Sequence, residues 1–295
     1  MKFIFFSEFS KRIGTGHLIR SKRLYKELSK KYITQYFLNK DKKFIEKFIK
    51  INKEKIIYIF DLKKYKKFHK STTNFCIYFD NDTSALNNSI NINPLLPFNN
   101  KYHGPKWHIY PKDFSVKKNY IIRLKKRKVL VYQGGTDAYE NIPKLIKIIK
   151  NKIKDIKFEL HILTSNKIRI KKNLLEKYQV YEHKNIKKLS NFLINYEHIV
   201  TGCGNTSLEI NFLGIPTTYV SSERREIKLG KYFQKKGFGK FFYISQAKKI
   251  RNHLYQELNA SKKYKMNTMK KKIKYFRQDG LKNIIKVINK LNYEI

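Results

Sequence analysis

The apolar run Phe3-Ile4-Phe5-Phe6 is followed closely by Ile13-Gly14-Thr15-Gly16-His17-Leu18-Ile19-Arg20, and a helical pattern runs from Leu18 to Lys31. A buried strand, a glycine turn and a helix, in that order, read as the opening of an α/β fold. The arrangement also presents free backbone N–H groups to an anion. Gly14 and Gly16 allow backbone geometry and a close approach that a Cβ would block. His17 sits in the first helical turn and brings a side chain that moves a proton near neutral pH. Many α/β proteins have such a turn; the histidine between turn and helix makes this one sharper. Arg20, one turn later, suits either a phosphate contact or a salt bridge.

Alternation continues along the chain. Strand patterns at Ile33–Leu38, Ile56–Phe60, Phe75–Phe79 and Ile90–Ile92 flank a helical pattern at Lys43–Lys50. An irregular stretch, Asn93–Asn119, carries Pro94, Pro97, Pro105, Pro111 and Trp107, and the charged segment Lys117–Lys128 reads as a linker. A second series follows, with strands at Lys128–Gln133, Phe158–Leu163, Val180–Tyr181, His198–Val200 and Thr217–Val220. Between them lie helices at Ile142–Lys150, Ile168–Lys177, Ile186–Asn195 and Ser207–Leu213. Such alternation predicts parallel sheets with helices on both faces. Two series predict two Rossmann-like domains facing across a cleft, over 1–120 and 121–267. Apolar residues at helical spacing over Thr268–Asn292 predict a C-terminal helix, 268–295, available to pack back on the first domain.

The formal charge of +44 raises a nucleic-acid reading, yet only ten of the 66 basic residues are Arg. Nucleic-acid sites recruit Arg for its planar fork. Here the lysines are spread over the whole length beside abundant Ile and Asn, as an AT-rich coding sequence favours. Solvated helix faces are the better default, so no nucleic-acid partner is expected. The basic surface still suits an anionic substrate, or peripheral contact with a negatively charged membrane face. Cys76 and Cys203 are too few for a disulfide framework. The Phe3–Phe6 run is too short for a signal peptide, and no run approaches the roughly 20 apolar residues of a membrane span. A reduced, cytoplasmic monomer is the expectation.

The second series closes on Thr201-Gly202-Cys203-Gly204-Asn205-Thr206-Ser207-Leu208-Glu209. In open α/β sheets ligands bind outside the carboxyl ends of the strands, so this turn and Gly14–Gly16 are expected to face each other. Thr206 and Ser207 are candidate helix-capping hydroxyls beside bare N–H groups. Glu209 is placed to accept hydrogen bonds from sugar hydroxyls. A diphosphate on the helix N-termini and a ribose on Glu209 make a nucleotide-diphosphate site. The plainer alternative is a tight turn, with Glu209 favouring the helix N-terminus.

These motifs carry a family resemblance. The stretch from Ile13 to Arg20 resembles the opening motif of the UDP-2,4-diacetamido-2,4,6-trideoxy-β-L-altropyranose hydrolases of pseudaminic-acid synthesis. Gly134-Gly135-Thr136-Asp137 resembles their second-domain glycine turn. Gly202 to Glu209 with Leu213-Gly214-Ile215-Pro216 resembles their nucleotide-binding segment. Gly104-Pro105-Lys106-Trp107, Pro111, Phe114 and Asp279-Gly280 are similar as well, so the likeness runs in order from 13 to 280. It implies a GT-B fold related to the N-acetylglucosaminyltransferases of peptidoglycan synthesis. It further implies hydrolysis of a UDP-sugar without metal or cofactor, with His17 catalytic. Gly14, Thr15, Gly16, Arg20 and Asp61 would then lie at sugar and phosphate. Gly135, Thr136, Gly202, Gly204, Asn205, Thr206, Ser207 and Glu209 would hold the nucleotide. Two departures leave the substrate open. Asp61 is followed by Leu62-Lys63 where the family has His-Tyr, and the family's Asn-Gln pair falls at Arg225-Glu226.

Displacing UDP from an anomeric carbon needs a nucleophile relieved of its proton and a stabilised departing diphosphate. His17 suits the first task, and the helix N-terminus at Gly202–Thr206 the second. A glycosyltransferase, with a sugar hydroxyl in place of water, is the runner-up; a basic, non-catalytic binder of anionic polymers is the third reading. Asp80-Asn81-Asp82 looks like an Asp-x-Asp metal motif, but an acidic strand-end turn is the preferred reading, so no metal is expected. His69, His103, His108, His161, His183 and His198 have no metal-ligand spacing. Trp107 and Tyr110 are expected to pack the interdomain segment.

Overall fold

The computed structural model describes residues 1–9, 16–52, 54–62, 72–80, 88–95, 101–116, 127–134, 137, 140–150, 157–165, 170–221 and 224–294. Gly14, Thr15, Lys63, His69, Asn81, Asp82, Gly135, Thr136 and residues 117–126 of the expected linker lie outside that set. The chain divides into two compact units, Met1–Tyr110 with Asp279–Ile295, and Pro111–Gln278.

In the first unit the elements run β1 (Lys2–Ser7), α1 (Gly16–Leu28), β2 (Ile33–Leu38), α2 (Lys42–Ile51), β3 (Ile56–Asp61), β4 (Phe75–Phe79) and β5 (Ser89–Ile92). The described strands form a parallel sheet in the order β2-β1-β3-β4-β5. β1 and β3 are central, and both are buried along nearly their whole length, which is why they read as unbroken apolar runs. Alternate residues serve the two faces. Phe3 and Phe5 pack with Leu24 and Leu28 of α1, whereas Ile4 and Phe6 pack with Ile45 and Ile49 of α2. Asp41 caps α2, its Oδ1 accepting from Phe44 N–H at 2.7 Å. Trp107 is buried in the first of these cores, edge-on to Tyr102.

The second unit continues with β6 (Lys128–Tyr132), α3 (Asn141–Lys150), β7 (Glu159–Leu163), α4 (Lys172–Tyr178), β8 (Val180–His183), α5 (Leu189–Leu193), β9 (His198–Thr201) and α6 (Asn205–Leu213). Then come β10 (Thr217–Ser221), α7 (Arg224–Lys235), β11 (Lys240–Tyr243), α8 (Ala247–Asn259) and α9 (Lys262–Phe276). Its sheet is also parallel, in the order β11-β10-β9-β6-β7-β8. α3 and α8 cover one face through Ile142, Leu145, Ile146, Ile250 and Leu254. The other face carries α6 against α9, where Ile273 closes on Gly214.

The last element, α10 (Gly280–Glu294), belongs to the first unit, where Ile284 and Ile288 are buried beside Phe3 and Ile109. The single C-terminal helix expected over Thr268–Asn292 is therefore two helices, broken at Arg277–Asp279. Helical spacing carries on through the break, but Gly280 is pressed against the His108 backbone. A Cβ there would stand 2.1 Å from the His108 carbonyl oxygen, so the chain turns at the one residue that tolerates the approach.

Candidate functional site

In each unit a polar cluster lies at the carboxyl ends of strands, where strand ends and helix starts meet. In the first unit the centre is Asp61, the last residue of β3 and fully buried. Arg20 grips it with two hydrogen bonds, Nε to Oδ2 at 3.0 Å and Nη2 to Oδ1 at 2.6 Å. His17 Nδ1 lies 2.5 Å from Asp61 Oδ1. Arg20 and His17 share one face of α1, three residues apart, so the strand end is served by a single helical turn.

Burial alone would raise the Asp61 carboxyl, but the charges of Arg20 and His17 outweigh it and hold the carboxyl below its usual range. Asp61 is thus an acceptor only, so the proton between the two groups belongs to His17 Nδ1, and Nε2 is the ring nitrogen not engaged by the carboxylate. Nε2 has no partner among the described residues. The side chain of His17 is 13 % exposed. Arg20, 1 % exposed, is stabilised as a cation by Asp61 and Asp80 against the cost of burial. Asp80 Oδ2 lies 2.8 Å from Arg20 Nη1, at ion-pair distance but without hydrogen-bond alignment. The guanidinium carbon is 4.7 Å from the centre of the Phe79 ring. Asp80, which follows β4, therefore meets a buried Arg. Among the described residues, no three His, Cys, Asp or Glu side chains assemble as a metal site.

His108 is fully buried near Arg20 and Arg23; burial, then those two charges, push its imidazole well below the usual range. Leu62 sits in the core beneath α2 rather than among the polar groups. Cys76 and Cys203 are buried free thiols.

In the second unit two glycine turns come together. β6 ends in Tyr132-Gln133-Gly134, and α6 begins beside it after β9. A Cβ on Gly134 would lie 3.4 Å from Thr206 Oγ1. Burial, with Glu209 adding to it, pushes the Tyr132 phenol up against the effect of a hydrogen bond with Thr206. Gly204 is the N-cap of α6, and no side chain caps that end, so Thr206 and Ser207 do not cap as their chemistry suggested. Ser207, fully buried, donates instead to Gly204 O at 2.6 Å. Asp137 caps the neighbouring helix, its Oδ1 accepting from Asn141 N–H at 2.9 Å and its Oδ2 from Ile142 N–H at 3.0 Å.

Sequence reading missed four contributors here: Tyr132, Gln133, Ser221 and the part played by Glu226. Glu226, in the first turn of α7, reaches back to the Gly202–Gly204 turn. Its Oε2 accepts from Cys203 N–H at 3.2 Å and from Ser221 Oγ at 2.5 Å. The sequence signal for Glu226 came only from the resemblance, which sets it where the compared family has an amide. The other three give no sequence signal beyond lying at strand ends.

No family model matches the chain. An uncharacterised protein of Methanocaldococcus jannaschii, MJ1062, is 26 % identical over 278 residues, a match covering 77 % of this chain and 57 % of that protein. The chain thus spans little more than half the length of that curated relative. Among solved structures, the lipopolysaccharide glycosyltransferase WaaG aligns with a TM-score of 0.63 at 9 % identity, over 94 % of this chain and 95 % of WaaG. Acinetobacter baumannii MurG aligns at 0.59 and 8 % identity, over 98 % of this chain and all of that one. The spinosyn rhamnosyltransferase SpnG, complexed with thymidine diphosphate, aligns at 0.61 and 8 % identity, over 97 % and 100 %. The fold is that of the GT-B glycosyltransferases: two α/β domains with parallel sheets.

Proposed function

We propose that this chain is a glycosyltransferase that moves a sugar from a nucleoside diphosphate sugar to a hydroxyl acceptor. His17 is the base. Its Nε2 takes the proton of the attacking hydroxyl, and Asp61 holds the ring and stabilises the imidazolium that forms. Arg20 keeps Asp61 ionised and in place; it acts through the carboxylate. The diphosphate is received at the turns around Gly134 and Gly202–Thr206, where the N–H groups that open α6 stabilise departing negative charge. Glu209 is the acceptor for ribose hydroxyls. Gly14, Thr15 and Gly16 are assigned to the sugar side with His17, and Gly135 and Thr136 to the nucleotide.

The observation that carries this reading is the 2.5 Å contact between His17 Nδ1 and the buried carboxylate of Asp61, which leaves Nε2 as the reactive nitrogen. The GT-B fold supports nucleotide-sugar chemistry as the setting. Hydrolysis is the second reading, favoured by the ordered motifs from Ile13 to Gly280, and it differs only in placing water beside Nε2. Uracil as the base rests on the resemblance that the same motifs carry.

The test is UDP release from a panel of UDP-sugars, with and without glycan acceptors. A transferase releases UDP slowly until acceptor is added; a hydrolase releases it at full rate in water. Undiminished turnover by His17→Ala would rule out the catalytic assignment in both cases.

A further inference from the structure

Glu226 occupies the place that the proposed function gives to a phosphate. Its carboxylate accepts the Cys203 N–H inside the glycine turn and is held from behind by the Ser221 hydroxyl. A Cβ on Gly202 would come within 3.2 Å of Oε2, and one on Gly204 within 3.5 Å of Oε1. The surface that the two glycines leave bare is therefore already covered by an anion. Around the turn, two enclosed donors stand without a partner among the described residues, Gln133 Nε2 and Thr201 Oγ1. A carboxylate has two oxygens in one plane. With the carboxylate in place those two donors stay unmet, whereas a tetrahedral phosphate offers acceptor oxygens in several directions.

We infer that Glu226 is a resident anion that a diphosphate must displace from the Gly202–Gly204 turn, so that this one side chain sets how tightly the turn binds phosphate. The inference rests on the nucleotide reading above. Two full negative charges cannot share these donors at contact distance without a large Coulomb cost in a partly enclosed site. Binding therefore swings Glu226 off the Cys203 N–H and breaks its bond to Ser221. An amide at this position has no charge to expel and donates a hydrogen bond as well, which makes the glutamate the costly choice for affinity and a brake on binding.

Calorimetric titration of the full chain with UDP, inorganic pyrophosphate and uridine tests this. E226Q is expected to tighten UDP and pyrophosphate about ten- to a hundredfold and to leave uridine unchanged, because the carboxylate acts on phosphate charge alone. The gain should shrink as salt is raised. S221A keeps the charge but loosens its anchor, so it should tighten both phosphate ligands by a smaller factor; it carries the test if E226Q does not fold. UDP and pyrophosphate affinities unchanged in both variants would overturn the inference while leaving a nucleotide site standing. Pyrophosphate that tightens while UDP binds no better than pyrophosphate would uphold the resident anion and overturn the nucleotide reading. Failure of wild type and both variants to bind either phosphate ligand would overturn both.

Discussion

Asp61 is a fully buried carboxylate whose two partners, Arg20 and His17, differ in how firmly they depend on it. Asp61→Asn leaves the Arg20 cation enclosed with only the unaligned Asp80 to offset it. The expected loss is about 3–5 kcal/mol, read as a fall in the urea midpoint. His17→Ala removes one hydrogen bond from a partly exposed ring, so stability should fall by only about 1 kcal/mol while turnover drops on the order of a hundredfold or more. Affinity for nucleoside diphosphate should be unchanged in that variant, since the proposed nucleotide groups all lie in the other unit. The carboxyl of Asp61 is depressed in the folded state. Its contribution to stability is therefore complete above the unfolded value of about 3.9 and is lost as pH falls through the lower folded value. Urea titrations from neutral pH down through that range should show an acid loss in the wild type that is smaller in Asp61→Asn. His17, Arg20 and Asp61 were each singled out from the sequence, but their assembly was not, because Asp61 lies 41 residues beyond Arg20. Only the parallel pairing of β3 with β1 brings the two together.

At the scale of elements, strands that are buried on both faces were the most legible, since a central parallel strand has no polar face and appears as an unbroken apolar run. β1, β3 and β4 are of this kind. The stretch from Ser221 to Asn267 was not assigned by pattern and folds as α7, β11, α8 and the start of α9. β11 is only four residues at a sheet edge, too short for alternation to register. The C-terminal break leaves no mark in the apolar spacing for a different reason. Helical spacing records which residues face inward, and it does not record that the two parts face different cores. Gly280→Ala tests the break, because the added methyl meets the His108 carbonyl at 2.1 Å. Overpacking of this sort costs about 1–3 kcal/mol, measurable as a lower thermal midpoint of the first unit, whereas Lys282→Ala on the same helix should be close to neutral.

For the whole molecule, the chain enters the first unit, builds the second, and returns to finish the first with α10. Ile284 and Ile288 are 0 % and 1 % exposed there, and each buried side chain of this size is worth about 1.5–3 kcal/mol. A chain ending at Gln278 should therefore lose protease resistance over Met1–Tyr110 first. The second unit, with its own core around Val129, Val131 and Leu160, should persist as a resistant fragment. Limited trypsinolysis followed by mass spectrometry reads both outcomes, and equal loss from the two units would contradict this division of the core.

By itself the sequence determined the α/β class, the doubling into two parallel-sheet units, and the stretches that end at chemistry-bearing residues. These are local consequences of apolar period, glycine and helix-starting residues. The tertiary structure alone decided which of those residues meet. It set Asp61 under Arg20 and His17, folded Leu62 into the core, joined the Gly134 and Gly202 turns, and sent the Glu226 carboxylate into the second of them. A side chain's partner across strand order depends on register and helix direction, which are settled by the packing of the whole sheet and leave no mark in a local window.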